Sequence, residues 1–143
     1  MAVDYVRREP PASTDLIARL EEQLGRALPD EYRTYLLHQD GGRLDNNDLA
    51  VNTIFGLGDV PDWASMWKVL DTYKGRVPTW LLPVADDDTG NLYAISLRDS
   101  DRGAVWFWEH EEEADEDEPP TEDNLSPTAG SWTVFLERLQ PLG

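Results

Sequence analysis

The sequence predicts an α+β fold, with helices packed around a mixed, largely antiparallel sheet in a single domain. Three observations carry that expectation. Two runs with a period of two, residues 91–97 and 104–109, are rich in aromatic and aliphatic side chains and flank a polar, glycine-ended loop at 98–103, the composition of an antiparallel hairpin. Four other stretches repeat apolar residues at helical spacing: Leu16, Ile17, Leu20 and Leu24; Tyr32, Tyr35 and Leu36; Trp63, Met66, Trp67 and Leu70; Trp132, Phe135, Leu136 and Leu139. These helices and strands do not alternate regularly, so a parallel α/β arrangement is not indicated. At 143 residues the chain has the length of one domain. A polar leader is expected over 1–13, followed by a domain over 14–140 that contains an acidic loop at 109–123.

The elements follow in order. Thr14 is placed to cap the first helix and Gly25 to end it. The second helix, over 28–37, has Pro29, Asp30 and Glu31 in its first turn, where a missing N–H and negative charge are tolerated. Gly41 and Gly42 stop it, and His38 in its last turn complements the helix dipole. A turn at Asn46, Asn47 and Asp48 leads into a strand over 49–55. Gly56-Leu57-Gly58 lacks the remainder of a dinucleotide or P-loop fingerprint, so it carries no nucleotide reading. The third helix spans 62–73, with Gly75 and Pro78 beyond it. Pro83 breaks the apolar run 81–85, which is therefore expected to be an edge or irregular strand. A turn at Asp86-Asp87-Asp88-Thr89-Gly90 opens the hairpin, and Ser131 caps the final helix, which Pro141 ends.

Composition narrows function. There are 29 acidic against 12 basic residues, a formal net charge of −17, which opposes binding to nucleic acid and to anionic membranes and favours a cationic partner. Solubility alone also accounts for such a charge. Six Trp, five Tyr and three Phe supply enough large apolar surface to build a core, so the acidity does not imply disorder throughout. The chain has no cysteine, which removes disulfides, thiolate metal sites and a cysteine nucleophile. It also has no long apolar run and no apolar signal segment near its start, which fits a cytoplasmic protein.

The acidic residues invite two chemical readings, and neither fits well. In the Asp86-Asp87-Asp88-Thr89-Gly90 stretch, setting Gly90 at the sixth position of a calcium loop puts Ala85 at the first and Ser96 at the twelfth, so both required ligands fail. Loose divalent-cation binding is the residual alternative. A densely solvated run of carboxylates is a poor setting for one tuned acid, and there is no Gly-x-Ser-x-Gly elbow or zinc-binding histidine pair. The sequence therefore points to no enzyme, no cofactor and no metal centre.

Several segments, taken in order, resemble the SUKH superfamily, which contains bacterial toxin-immunity proteins and the yeast cell-wall synthesis regulators of the Smi/Knr type. They are Leu28-Pro29-Asp30-Glu31-Tyr32 with Leu36-Leu37 and Gly41-Gly42; Leu82-Pro83-Val84-Ala85 followed by Asp88, Gly90, Asn91 and Tyr93; Gly103-Ala104-Val105-Trp106 with Trp108-Glu109-His110; and Ser131-Trp132 with Phe135-Leu136. The resemblance implies a non-enzymatic protein-binding domain, an immunity protein of the kind found in polymorphic toxin systems that neutralises a cognate toxin. The alternative it implies is an interaction scaffold in cell-wall or signalling regulation. The long acidic insert and Pro119-Pro120 depart from a compact family pattern and mark where partner choice is expected. From 109 to 123 ten residues are acidic, and a basic toxin, such as a nuclease whose groove attracts phosphate, suits them by steric and electrostatic masking. The expected partner-binding residues are Glu109, Glu111, Glu112, Glu113, Asp115, Glu116, Asp117 and Glu118, with Asp86 and Asp87 in the turn and Trp106 or Trp108 as aromatic anchors.

Overall fold

The computed structural model describes residues 5–115 and 117–141. Seven strands form one sheet in chain order: β1 (Tyr5–Arg8), β2 (Gly42–Leu44), β3 (Val51–Ile54), β4 (Leu81–Asp87), β5 (Leu92–Ser96), β6 (Val105–Trp108) and β7 (Leu125–Ala129). Every neighbouring pair is antiparallel, and among the described residues the parallel component is one isolated bridge between Gly56 and Ser65. Helices α1 (Thr14–Leu24) and α2 (Asp30–His38) lie between β1 and β2, α3 (Met66–Thr72) between β3 and β4, and α4 (Trp132–Arg138) after β7. This is the α+β fold expected from the patterning.

Helices cover the sheet on two sides. On one side an aromatic chain ties the layers together. Tyr32 and Tyr35 of α2 each lie 5.1 Å from the Trp132 ring of α4, Phe135 lies 5.2 Å from Tyr93 on β5, and Tyr93 lies 5.2 Å from Phe107 on β6. On the other side Trp108 meets the edge of Tyr73, the cap residue of α3, at 5.6 Å. Both faces of the central strands are thus covered, which explains why all of β5 is buried instead of alternating. Burying apolar side chains such as Leu36, Ile54 and Phe135 contributes about 1.5–3 kcal/mol each at the level of area removed from water.

Local physics displaced several boundaries. Ser13, not Thr14, caps α1, its hydroxyl accepting from the Leu16 N–H at 3.2 Å, while Gly25 closes the helix in the left-handed conformation at φ 71°. Pro29 caps α2 from outside, and the helix ends on an extended Gln39 before either glycine is reached. Asp40 follows, 3% exposed, and accepts the Leu57 and Gly58 N–H groups at 2.7 Å each, stapling the end of α2 to the loop after β3. Gly41 is needed for a different reason: at φ 80° a Cβ would stand 2.3 Å from the Ile54 carbonyl oxygen. Asn47 fixes the next turn by accepting from Val51 N at 3.0 Å and donating to Val51 O at 2.8 Å, so the strand starts later than the apolar pattern suggests.

Two further differences are larger. The stretch 62–73 is not one helix: a 3-10 turn (Asp62–Ala64) stops at an extended Ser65, where α3 begins anew. That break turns Trp63 outward, 53% exposed, while Trp67 stays packed against the core and donates to Leu57 O at 2.8 Å. The run at 81–85 belongs to a central strand, not an edge. Pro83 is accommodated because the registered partners of β3 stop at Ala85, leaving Pro83 with β5 alone beside it at a register shift.

Candidate functional site

Cross-strand register decides which predicted residues meet. The β4–β5 turn and the exit of β6 lie at the same end of the sheet, because Leu92 pairs with both Asp86 and Trp108. Asn91 joins the two, its side-chain oxygen accepting from the His110 N–H at 3.0 Å. The loop at 98–103 lies at the opposite end. Asp86, Asp87 and the acidic tract are therefore neighbours.

The tract is a loop held at its base and along one side. Where it leaves β6, Glu109 N donates to Asn124 O at 3.1 Å, and the buried Asn124 returns its side-chain amide to Glu109 O at 2.9 Å. A short 3-10 turn, His110–Glu112, follows. Glu113 forms a two-point pair with Arg76, at 2.8 and 3.1 Å, and Arg76 in turn lies 4.5 Å over the Tyr73 ring and 5.8 Å from Trp108. The Glu113 hydrogen bonds hold the Arg76 guanidinium above its ordinary pKa. A broad open groove of about 1010 Å³ separates Lys74 and Arg76 from the body of the tract.

The predicted carboxylates consequently divide. Glu111, Glu112, Asp115, Asp117 and Glu118 are exposed, as are Glu122 and Asp123. Glu109 and Glu113 are half-buried, and Glu113 is already paired. Glu116 lies outside the described residues. Asp87 serves its own turn: one oxygen accepts from Thr89 N, Thr89 Oγ1 and Asn91 N at 2.9, 3.1 and 2.9 Å, and the other accepts the Asn91 amide at 2.9 Å. That is an Asx-type turn, so its charge is spent locally rather than offered outward. Asp86 is different. It is the half-buried penultimate residue of β4, accepts Thr53 N at 3.1 Å, and has its carboxyl pushed up to about 7, by burial first and then by the Asp87 and Asp88 charges.

The two tryptophans also part company. Trp108 is 0% exposed beneath Tyr73, so it is withdrawn as an aromatic anchor: a core ring cannot meet a partner without unfolding the hairpin. Trp106 is half-buried and pinned, its Nε1 donating to Asp101 Oδ2 at 2.9 Å and its ring edge-on to Trp80 at 5.7 Å. Arg98 completes this cluster, 3.6 Å over Trp80 and bonded to Asp101, whose carboxyl it helps hold below the usual range. Sequence reasoning missed the cluster at 98–106 because its members are strung along a loop; the i,i+3 spacing of Arg98 and Asp101 was the available signal. It also missed Trp63 as an exposed ring, since spacing assigned it to an apolar face.

Among the described residues no group of three His, Asp or Glu side chains stands together as a metal-holding set, and no helix is long and apolar enough to cross a membrane.

The chain belongs to the SMI1 / KNR4 family (SUKH-1), which it matches over residues 11–138, and the resemblance drawn from the sequence motifs is thereby shown. That family consists generally of non-enzymatic immunity or regulatory proteins. More particularly, the chain is similar to the SPbeta prophage-derived uncharacterized protein YokK of Bacillus subtilis (strain 168), at 27% identity, with 73% of this chain and 66% of that protein covered. The chain thus spans just under two thirds of that relative's length.

Proposed function

We propose that the chain is a non-enzymatic immunity protein that binds a cognate, basic bacterial toxin in the cytoplasm and masks its working surface. One observation carries the reading: a loop tied down at Glu109–Asn124 and Glu113–Arg76 presents the exposed carboxylates of Glu111, Glu112, Asp115, Asp117 and Glu118 from one end of a packed sheet. Family membership supports it, since a toxin-immunity role is one of the two that membership fits. Exposed charges contribute little binding energy pair by pair, but a concentrated field speeds encounter with an opposite charge and fades with salt over a screening length of about 8 Å.

The test is co-expression with the toxin encoded beside this gene, together with association kinetics at low and high salt. Replacing those five carboxylates by their amides should slow association by about tenfold or more and flatten its salt dependence. Unchanged kinetics in that variant would exclude electrostatic masking even if rescue held. Failure of rescue with every cationic protein of the same operon would favour the other role that family membership fits, a regulatory scaffold.

A further inference from the structure

On the sheet face that carries α3, one row of paired residues runs across six strands: Arg7, Arg43, Thr53, Asp86, Leu92 and Trp108. Directly opposed residues project to the same side of a sheet, so Asp86 points toward α3. There it lines a groove of about 180 Å³ together with Phe55, Trp63, Val69 and Tyr73. Pockets for small molecules run to about 300–1,000 Å³, so this hollow is the size for a side chain rather than a cofactor.

Three features show what it lacks. Trp63, which lines the groove, leaves 53% of its surface in solvent, so its ring is open to a partner, with Arg43 5.9 Å away over it. One Asp86 oxygen accepts from Thr53 N, and among the described residues no cation stands within 4.0 Å of its carboxylate, although Lys68 also lines the groove. Thr53, its neighbour in the row and 1% exposed, has a hydroxyl without a hydrogen-bond partner among the described residues, and lines an adjoining hollow that shares Trp63. A partly desolvated carboxylate beside aromatic walls, with no counter-ion of its own, is the arrangement that holds a guanidinium or ammonium group.

We propose that this groove receives one arginine or lysine side chain of the protein partner, with Asp86 as its counter-ion and the Trp63 and Tyr73 rings as its walls. The inference rests on the reading above that the partner is a cationic protein, and it gives that partner a short-range contact separate from the acidic tract. Protons compete with such a guest. The charged and titratable groups around it are Asp62 and Trp63's neighbour Arg43, Lys68 and Tyr73 from α3 and its cap, Asp87 and Asp88 in the turn, and His110, whose ring faces Gly90 at the groove's edge.

The full chain, labelled with ¹⁵N, is titrated with N-acetyl-arginine methylamide and, separately, with the uncharged N-acetyl-citrulline methylamide. The arginine probe should give saturable shifts at the Trp63 indole and the Thr53 amide, weakened about tenfold in Asp86→Asn and in Trp63→Ala. Binding should also fade as pH falls through about 7. Asn keeps the oxygen that accepts Thr53 N, and Trp63 is exposed, so both variants should fold. Non-saturating shifts, equal shifts from the citrulline probe, or unchanged binding in both variants would overturn the proposal. The two readings fail separately. If the probe binds but no cationic protein does, the immunity role falls and the groove's preference for a cation stands; if a toxin binds wild type and both variants alike, the groove falls and the role stands.

Discussion

Replacing Asp86 by Asn should stabilise the free protein at neutral and mildly alkaline pH and do almost nothing in acid. The folded state holds this carboxyl at about 7 against an ordinary 3.8, with burial the largest cause, the neighbouring Asp87 and Asp88 charges adding to it, and the Thr53 N–H opposing. Because the folded value lies above the unfolded one, the folded state keeps a proton that the unfolded chain releases between these two values. This group's contribution is therefore most favourable below about pH 4 and is lost as pH rises through about 7. A rise of roughly three units, at 1.36 kcal/mol per unit, makes that loss roughly 4 kcal/mol once the group is ionised in both states. Asn cannot ionise and retains the acceptor for Thr53 N, so it escapes the loss. Urea unfolding of both proteins across the range tests this. With a slope of about 1–3 kcal/mol per molar, the variant's midpoint should lie more than about 1 M higher near pH 8 and coincide with wild type near pH 4. Equal midpoints throughout, or a variant less stable than wild type near pH 8, would refute the reasoning. A carboxylate that weakens the fold at working pH is, with its place in the groove, a functional-site candidate.

Two other substitutions probe the scaffold. Asp40→Ala removes the acceptor that serves both Leu57 N and Gly58 N at 2.7 Å, and should cost about 2–4 kcal/mol by urea unfolding, since two donors in a closed loop lose their partner together. Gly41→Ala should cost at least about 3 kcal/mol or prevent folding, because the new Cβ would meet Ile54 O at 2.3 Å, whereas Gly25→Ala, with a similar φ but nothing within 4 Å, should cost only about 1 kcal/mol in the same measurement.

What the sequence disclosed, and what it withheld, follows from how local each cause is. The helix faces of Ile17 and Leu20, or of Trp132 and Phe135, announce themselves by spacing, and the β5–β6 hairpin by alternation around a polar loop. Strands β1, β2 and β7 carry no such mark. Tyr-Val-Arg-Arg, Gly-Arg-Leu and Leu-Ser-Pro-Thr-Ala are short and partly exposed, and they become strands only because a partner far along the chain supplies hydrogen bonds. The candidate site divides the same way. The charge of the tract is written in its composition, but the self-satisfied Asp87, the core position of Trp108 and the burial of Asp86 depend on turn chemistry and on α3 lying across the sheet. Trp63 was misplaced because one extended residue, Ser65, resets the helical phase, and periodicity is blind to such a break.

The two proposed contacts complement each other because they sit at one end of the sheet. Asn91 links the turn that follows Asp86 to His110 at the head of the tract, so the carboxylate field and the groove keep a fixed relation. The exposed charges act at a distance and are readily screened, which makes them suited to raising the rate of arrival. A single, partly desolvated carboxylate beside aromatic rings acts only on contact, where it governs departure. The Glu113–Arg76 pair gives this division a structural basis: it anchors the tract beside Tyr73, a wall of the groove, so a cationic surface drawn to the loop is delivered next to the pocket. On the two proposals together, neutralising the tract should leave the dissociation rate nearly untouched, while Asp86→Asn and Trp63→Ala should raise it and spare the salt dependence of arrival.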